Sequence, residues 1–235
     1  MEPLRTKIAS LAPVALAAIG LLLGSLGATA QDQKIDVTSL VRETQKVSNE
    51  PGEMNFVWWL PEEYWKASMA ANPNSSPAQV ETLIKVVHPY FLVGVGSGKV
   101  GPFAAITFRT DTDIRGVIQL KDTDGTIYKP LPDDKLDPSV PALLALMKPI
   151  LSRAVGSLGE NIHFYVFPGS KKDGARVCDP AKEGACEVSL GERSFKWKLP
   201  LGSLLPVQKC PTCGETLSGA YKYCPFDGTK LGGTK

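Results

Sequence analysis

Three cysteines and an aspartate stand in the segment CPTCGETLSGAYKYCPFDGTKL: Cys210, Cys213, Cys224 and Asp227. Cys210 and Cys213 form a C-x-x-C pair, and Cys224 and Asp227 repeat that spacing as CPFD. Thiolates and carboxylates are zinc donors. Two such turns, each on its own hairpin, bring four donors to the corners of a tetrahedron. Pro211 and Pro225 fix the turn after the first donor of each pair. Gly214 and Gly228 follow the second donor, where a left-handed backbone lets amides point at it. Three thiolates and one carboxylate carry the charge of four thiolates, although oxygen is the harder and weaker donor for this ion. A second role is open to Asp227, because Asp before Gly stabilises turns; zinc would then keep a water. Three thiolates blunt the metal as a Lewis acid, and no histidine or glutamate of the tail has an obvious claim as a general base, though Glu215 is near, so a structural ion is expected and no residue is assigned as catalytic.

Other sulfur chemistry remains open. C-x-x-C also serves thiol–disulfide exchange, but such motifs belong at a helix start inside a βαβ unit, and here Gly214 follows at once. A metal-free disulfide within the tail is the further alternative.

CPTCG followed by GAYKYCPFDGTKL resembles the short zinc ribbons found at the ends of many bacterial proteins. The resemblance covers residues 206–235 only. Such ribbons carry cysteine in all four places; Cys210, Cys213 and Cys224 match one by one, and Asp227 departs. The resemblance implies a structural zinc and no substrate.

The other end of the chain sets the compartment. Arg5 and Lys7 precede an uncharged stretch from Ile8 to Leu26, and Ala28-Thr29-Ala30 offers a small-x-small site. Residues 1–30 therefore read as a signal peptide, with an uncleaved anchor as the alternative and the only route to membrane contact. The body is expected outside the cytoplasm, periplasmic or secreted, where disulfides persist. Five cysteines then divide into three in the tail and a pair, Cys178 and Cys186, flanking the loop CDPAKEGAC and expected to bridge.

The elements between are read from pattern. MNFVWWL is an apolar strand, and PEEYWKASMAA a helix opened by Pro61. Ser76, Pro77 and Gln79 give a capping box for a second helix that ends at His88-Pro89. YFLVGVG and PFAAITFRT read as strands joined by SGKVG, and IRGVIQL and TIYKP as strands joined at Asp124-Gly125. An apolar helix over 138–158 should bury Leu143, Met147, Ile150, Leu151, Ala154 and Leu158, with a kink at Pro149. NIHFYVF, CEVSL and SFKWKL complete the strands. Without a regular βαβ beat, the fold class is α+β, a largely antiparallel sheet with two or three helices over 31–205 and a zinc ribbon over 206–235.

Weaker signals take bland readings. GVGSGKVG lacks phosphate-loop spacing and reads as a hairpin loop, and DTDG as a β-turn. The aspartates at 111, 113, 122, 124, 133, 134 and 137 read as a solvated rim, and Trp58, Trp59 and Trp65 as core. A net charge of +2 on 235 residues gives no electropositive footprint for nucleic acid. The expected role is an exported or envelope-facing module that binds a protein or envelope component. The alternative is a hydrolytic or thiol-redox enzyme. A cleft in which His88 or His163 meets carboxylates would favour the alternative.

Overall fold

The computed structural model describes residues 35–48 and 50–232. They lie within one compact unit, Gln33–Lys235. The signal segment 1–30 lies outside the described residues.

The fold is α+β, and every strand pairing among the described residues is antiparallel. Helix α1 (Val37–Thr44) is capped by the Asp36 carboxylate and leads into β1 (Gln45–Ser48), a strand the polar lead-in did not announce. Pro51-Gly52 turns the chain into β2 (Glu53–Trp59). Helices α2 (Glu62–Ala71) and α3 (Pro77–Val87) follow, the latter with the full Ser76–Gln79 capping box. Strand β3 (Tyr90–Val100) then runs through the centre of the first sheet. It pairs with β2 on one side, and on the other with β4 (Ile106–Phe108) and β7 (His163–Pro168).

The stretch SGKV is therefore strand, and the turn comes later, at 101–105. Glycine has a packing reason earlier in the same strand. A Cβ on Gly94 would sit 3.2 Å from the Phe164 ring, and one on Gly96 would sit 2.7 Å from Leu158 Cδ1. The Gly-rich look of this strand serves close approach by its neighbours.

IRGVIQL likewise divides. Thr110 caps a short helix α4 (Asp111–Arg115), and only β5 (Ile118–Lys121) is extended. Asp124-Gly125 turns β5 into β6 (Ile127–Tyr128). With β8 (Gly184–Leu190) and β9 (Arg193–Leu199) these form a second sheet in the order β6-β5-β8-β9.

Period-two alternation places the core. Val57, Trp59, Phe91, Val93, Val95, Tyr165 and Phe167 leave one face of the first sheet and meet Leu120, Val188, Phe195 and Trp197 of the second. Trp59 stacks on Phe91 at 5.1 Å between ring centroids and meets Trp197 edge-on at 5.8 Å. The Trp197 Nε1–H donates to the Thr44 carbonyl at 3.0 Å, so this wholly buried indole has its partner. On the other face, Trp58, Leu92 and Val166 pack with Trp65, Val87, Leu144 and Met147 from the helices. The aromatic cluster is core, as its composition suggested.

The long helix departs from expectation. It is α5 (Ser139–Val155), Pro149 lies inside without ending it, and Gly156 at φ 59° separates it from α6 (Ser157–Glu160). Its buried residues are Val140, Leu144 and Met147; Leu143 and Leu151 are half-buried at the edge, while Ile150 is 64% exposed. Ala154 is exposed and Leu158 belongs to α6. A helix apolar on most sides cannot name its own buried face; α3 and β7 chose it. Six α-helices occur among the described residues, more than the two or three expected, because α1, α4 and α6 are short.

Candidate metal centre

The tail folds as two small hairpins. Strands β10 (Gln208–Lys209) and β11 (Thr216–Leu217) pair across the first C-x-x-C turn, and Tyr223 bridges to Lys230 across the second. The turns repeat each other bond for bond. Cys210 N–H donates to Glu215 O and Cys224 N–H to Thr229 O, both at 2.8 Å. Gly214 N–H returns to Cys210 O at 3.0 Å and Gly228 N–H to Cys224 O at 2.9 Å. Gly214 (φ 76°) and Gly228 (φ 72°) take the left-handed conformation that a Cβ would strain.

This repetition gathers the four sequence-predicted donors. One ligand atom from each of Cys210, Cys213, Cys224 and Asp227 can be chosen so that all lie within 4.8 Å of one another. Cys213 Sγ and Cys224 Sγ are 3.6 Å apart, and Cys210 Sγ lies 3.4 Å from Asp227 Oδ2. A disulfide needs about 2.05 Å. Zinc bonds of about 2.3 Å to sulfur and about 2.1 Å to oxygen give tetrahedral edges of about 3.8 Å and 3.6 Å. The spacing thus fits donors shared by one ion. Cys210 and Cys224 are 2% exposed; Cys213 and Asp227 face solvent.

Asp227 is placed for both of the roles left open for it. Its Oδ1 accepts the Thr229 N–H at 2.8 Å, which holds the turn, while Oδ2 faces the Cys210 sulfur. Thr229 Oγ1 and Thr212 Oγ1 then join the two turns at 2.9 Å. These threonines were not singled out from sequence; the Asp-x-Thr spacing of an Asx turn is the signal that marks Thr229.

The electrostatics favour a cation. Burial works against the Cys210 thiolate, but the Cys213 and Thr212 amides outweigh it and lower the thiol below its usual range. The Glu215 amide favours ionised Cys213, yet desolvation and the adjacent Cys210, Asp227 and Cys224 push that thiol up to about 12. Hydrogen bonds from Thr229 hold Asp227 well below the usual carboxylate range. Four acids in one place cannot all ionise alone, and a divalent ion reverses that logic.

After the CPTC turn comes β11, not the helix that a redox pair uses to lower its thiol. The tail's apolar core is Leu217 and Leu231 with Cys210 and Cys224. Two buried leucines supply only about 1.5–3 kcal/mol each, far short of the ordering entropy of such a segment. On the body, Glu43 of α1 accepts Gly202 N–H at 2.6 Å and Ser203 N–H at 2.9 Å, fixing the connector. Ser218 Oγ of the tail donates to Gly202 O at 3.3 Å.

The other cysteines are joined. Cys178 and Cys186 form a disulfide with both residues fully buried. Its anchor corrects the reading of the aspartates as a uniform rim. Asp122 is 2% exposed, accepts the Cys178 N–H at 2.8 Å and pairs with Lys171 at 2.6 Å. Lys171 also reaches Asp124 at 2.8 Å, and together the two aspartates raise its pKa.

His88 meets a carboxylate directly, whereas His163 only shares a cleft with two. His88 Nδ1 lies 2.6 Å from Glu62 Oε2 beside an exposed groove between α2 and α3. His163 lines a cleft of about 490 Å³ between α5, β7 and α4, with Asp111, Arg115, Asp133 and Lys148. Burial and then Lys148 lower the His163 pKa, with Asp111 opposing. No helix among the described residues is long and apolar enough to cross a membrane. No known family model, curated protein or solved structure matches the chain.

Proposed function

We propose that the protein is an exported binding module whose C-terminal tail is a zinc ribbon, with one structural Zn²⁺ held by Cys210, Cys213, Cys224 and Asp227. The observation that carries the metal is the mutual distance of the four donors, within 4.8 Å. Zinc suits a set of three sulfurs and one oxygen with no open position, and it supplies folding energy that a two-leucine core lacks. Export is supported by the buried Cys178–Cys186 bond, which persists in oxidising compartments, and by the signal-like residues 1–30. The partner is an envelope component or another exported protein.

Native mass spectrometry of the full-length chain tests the metal. One zinc per chain is expected, lost on Cys224→Ser. Metal-free protein with one free thiol per chain would replace the ribbon with a tail disulfide.

A hydrolytic reading has one observation in its favour, the cleft that His163 lines together with Asp111 and Asp133. Its described lining includes no serine, threonine or cysteine, so no side-chain nucleophile of those types stands beside the imidazole. Binding is therefore the better-supported use of the cleft. Ester or amide turnover that disappears in His163→Gln would reverse that preference.

A further inference from the structure

The His163 cleft has a division of labour among its charges. Arg115 is engaged on every side: Nε to Asp111 Oδ2 at 3.4 Å, Nη2 to Asp133 Oδ1 at 3.4 Å and Nη1 to the Leu131 carbonyl at 3.3 Å. Its guanidinium also lies 5.4 Å from the centroid of the Tyr165 ring. The two carboxylates of the cleft thus already face a cation. Lys148 on α5 and His163 on β7 line the same cavity and have no hydrogen-bond or ion-pair partner among the described residues. Between these polar groups the wall is apolar, with Leu136, Leu144, Phe164 and Val166. A cavity of this size, mostly apolar and with a few unspent donors, is the usual form of a small-molecule site.

We propose that this cleft binds a small carboxylic acid with an apolar body, its carboxylate taken by Lys148 and His163 and its body lying on Leu144, Phe164 and Val166. The inference deepens the binding-module reading and rests on it. Arg115 acts as a positioning residue: tied to α4, to the Asp133 turn and to the Tyr165 ring, it holds the wall opposite α5 and keeps the acidic groups from competing for Lys148. The charge-assisted contacts select the acid, and the apolar wall sets the length of the body.

The test uses full-length, zinc-loaded protein and two probes of the same shape, 3-phenylpropionate and 3-phenylpropan-1-ol, followed by calorimetry and by the His163 imidazole resonances. The acid should bind saturably at millimolar concentration or below and shift those resonances, and the alcohol should bind about tenfold more weakly. Lys148→Met, at an exposed position, should erase the difference between the probes without changing zinc content. Equal binding of acid and alcohol, or acid binding that survives both Lys148→Met and His163→Gln, would overturn the assignment. So would the absence of saturable binding. Zinc stoichiometry read on the same samples separates this outcome from failure of the ribbon, and release of acid from a 3-phenylpropionate ester would displace the binding-module reading while leaving the pocket's preference standing.

Discussion

The chain uses its two sets of cysteines in opposite ways. Cys178 and Cys186 are covalently joined and fully buried, at the edge of a core built from two sheets. Cys210, Cys213 and Cys224 stay unbonded, with two sulfurs 3.6 Å apart, around a core of two leucines. The body would keep a large apolar core without its bond, whereas the tail has little else to hold it. A crosslink is an addition in one region and, on the proposed zinc reading, the organising element in the other.

Metal removal should therefore show the largest and most local effect. A strong chelator is expected to abolish the dispersed amide signals of residues 207–232 while leaving those of the two sheets in place, read by heteronuclear NMR. Acid should act in the same direction. Cys213 holds its proton in the metal-free tail, so ion capture must release it, and affinity rises with pH and is lost as pH falls. Collapse of the whole spectrum on chelation would erase the contrast between the regions.

Next in size is the double replacement Cys178→Ala/Cys186→Ala. Closing so short a loop stabilises by roughly 2–3 kcal/mol, so thermal unfolding of the body should fall by about 5–10 °C. Zinc per chain should not change. A shift in zinc content would show that the two regions are coupled more tightly than their separate cores suggest.

Asp122→Ala attacks the same loop without touching sulfur. It strips the acceptor from the Cys178 amide and leaves Lys171 with only Asp124. The expected cost is about 2 kcal/mol in denaturant unfolding, because a buried donor loses its partner. Retention of full stability would mean that the disulfide alone holds the loop.

The smallest change is Asp227→Asn. The amide oxygen can still accept from Thr229, so the turn survives, but the anionic donor is gone. Zinc affinity should drop about tenfold, comparable with the loss of a supporting interaction at a metal. Competition titration against a chromophoric chelator measures it. Unchanged affinity would assign Asp227 to the turn alone.

Much of this contrast was legible in the residues. The capping box at Ser76–Gln79, the turn at Asp124-Gly125 and the doubled C-P-x-x-G spacing are short-range devices, and each lies where pattern placed it. Glycine misled where its purpose was non-local: Gly98 suggested a loop but lies inside β3, where a Cβ would sit 2.8 Å from the Thr107 carbonyl oxygen and 2.9 Å from Ile106 Cγ2. The cleft was legible only as one isolated histidine, because Arg115, Lys148 and His163 come from three separate elements.

By itself the sequence determined the knuckle turns, the cysteine spacing and the antiparallel α+β character. Those follow from backbone sterics, hydrogen bonds and periodicity acting over a few residues. Only the tertiary structure decided which face of α5 is buried, that Asp122 goes inside with Lys171, and that His163 shares a cleft with Lys148. Burial and pairing depend on what packs against a residue from elsewhere in the chain.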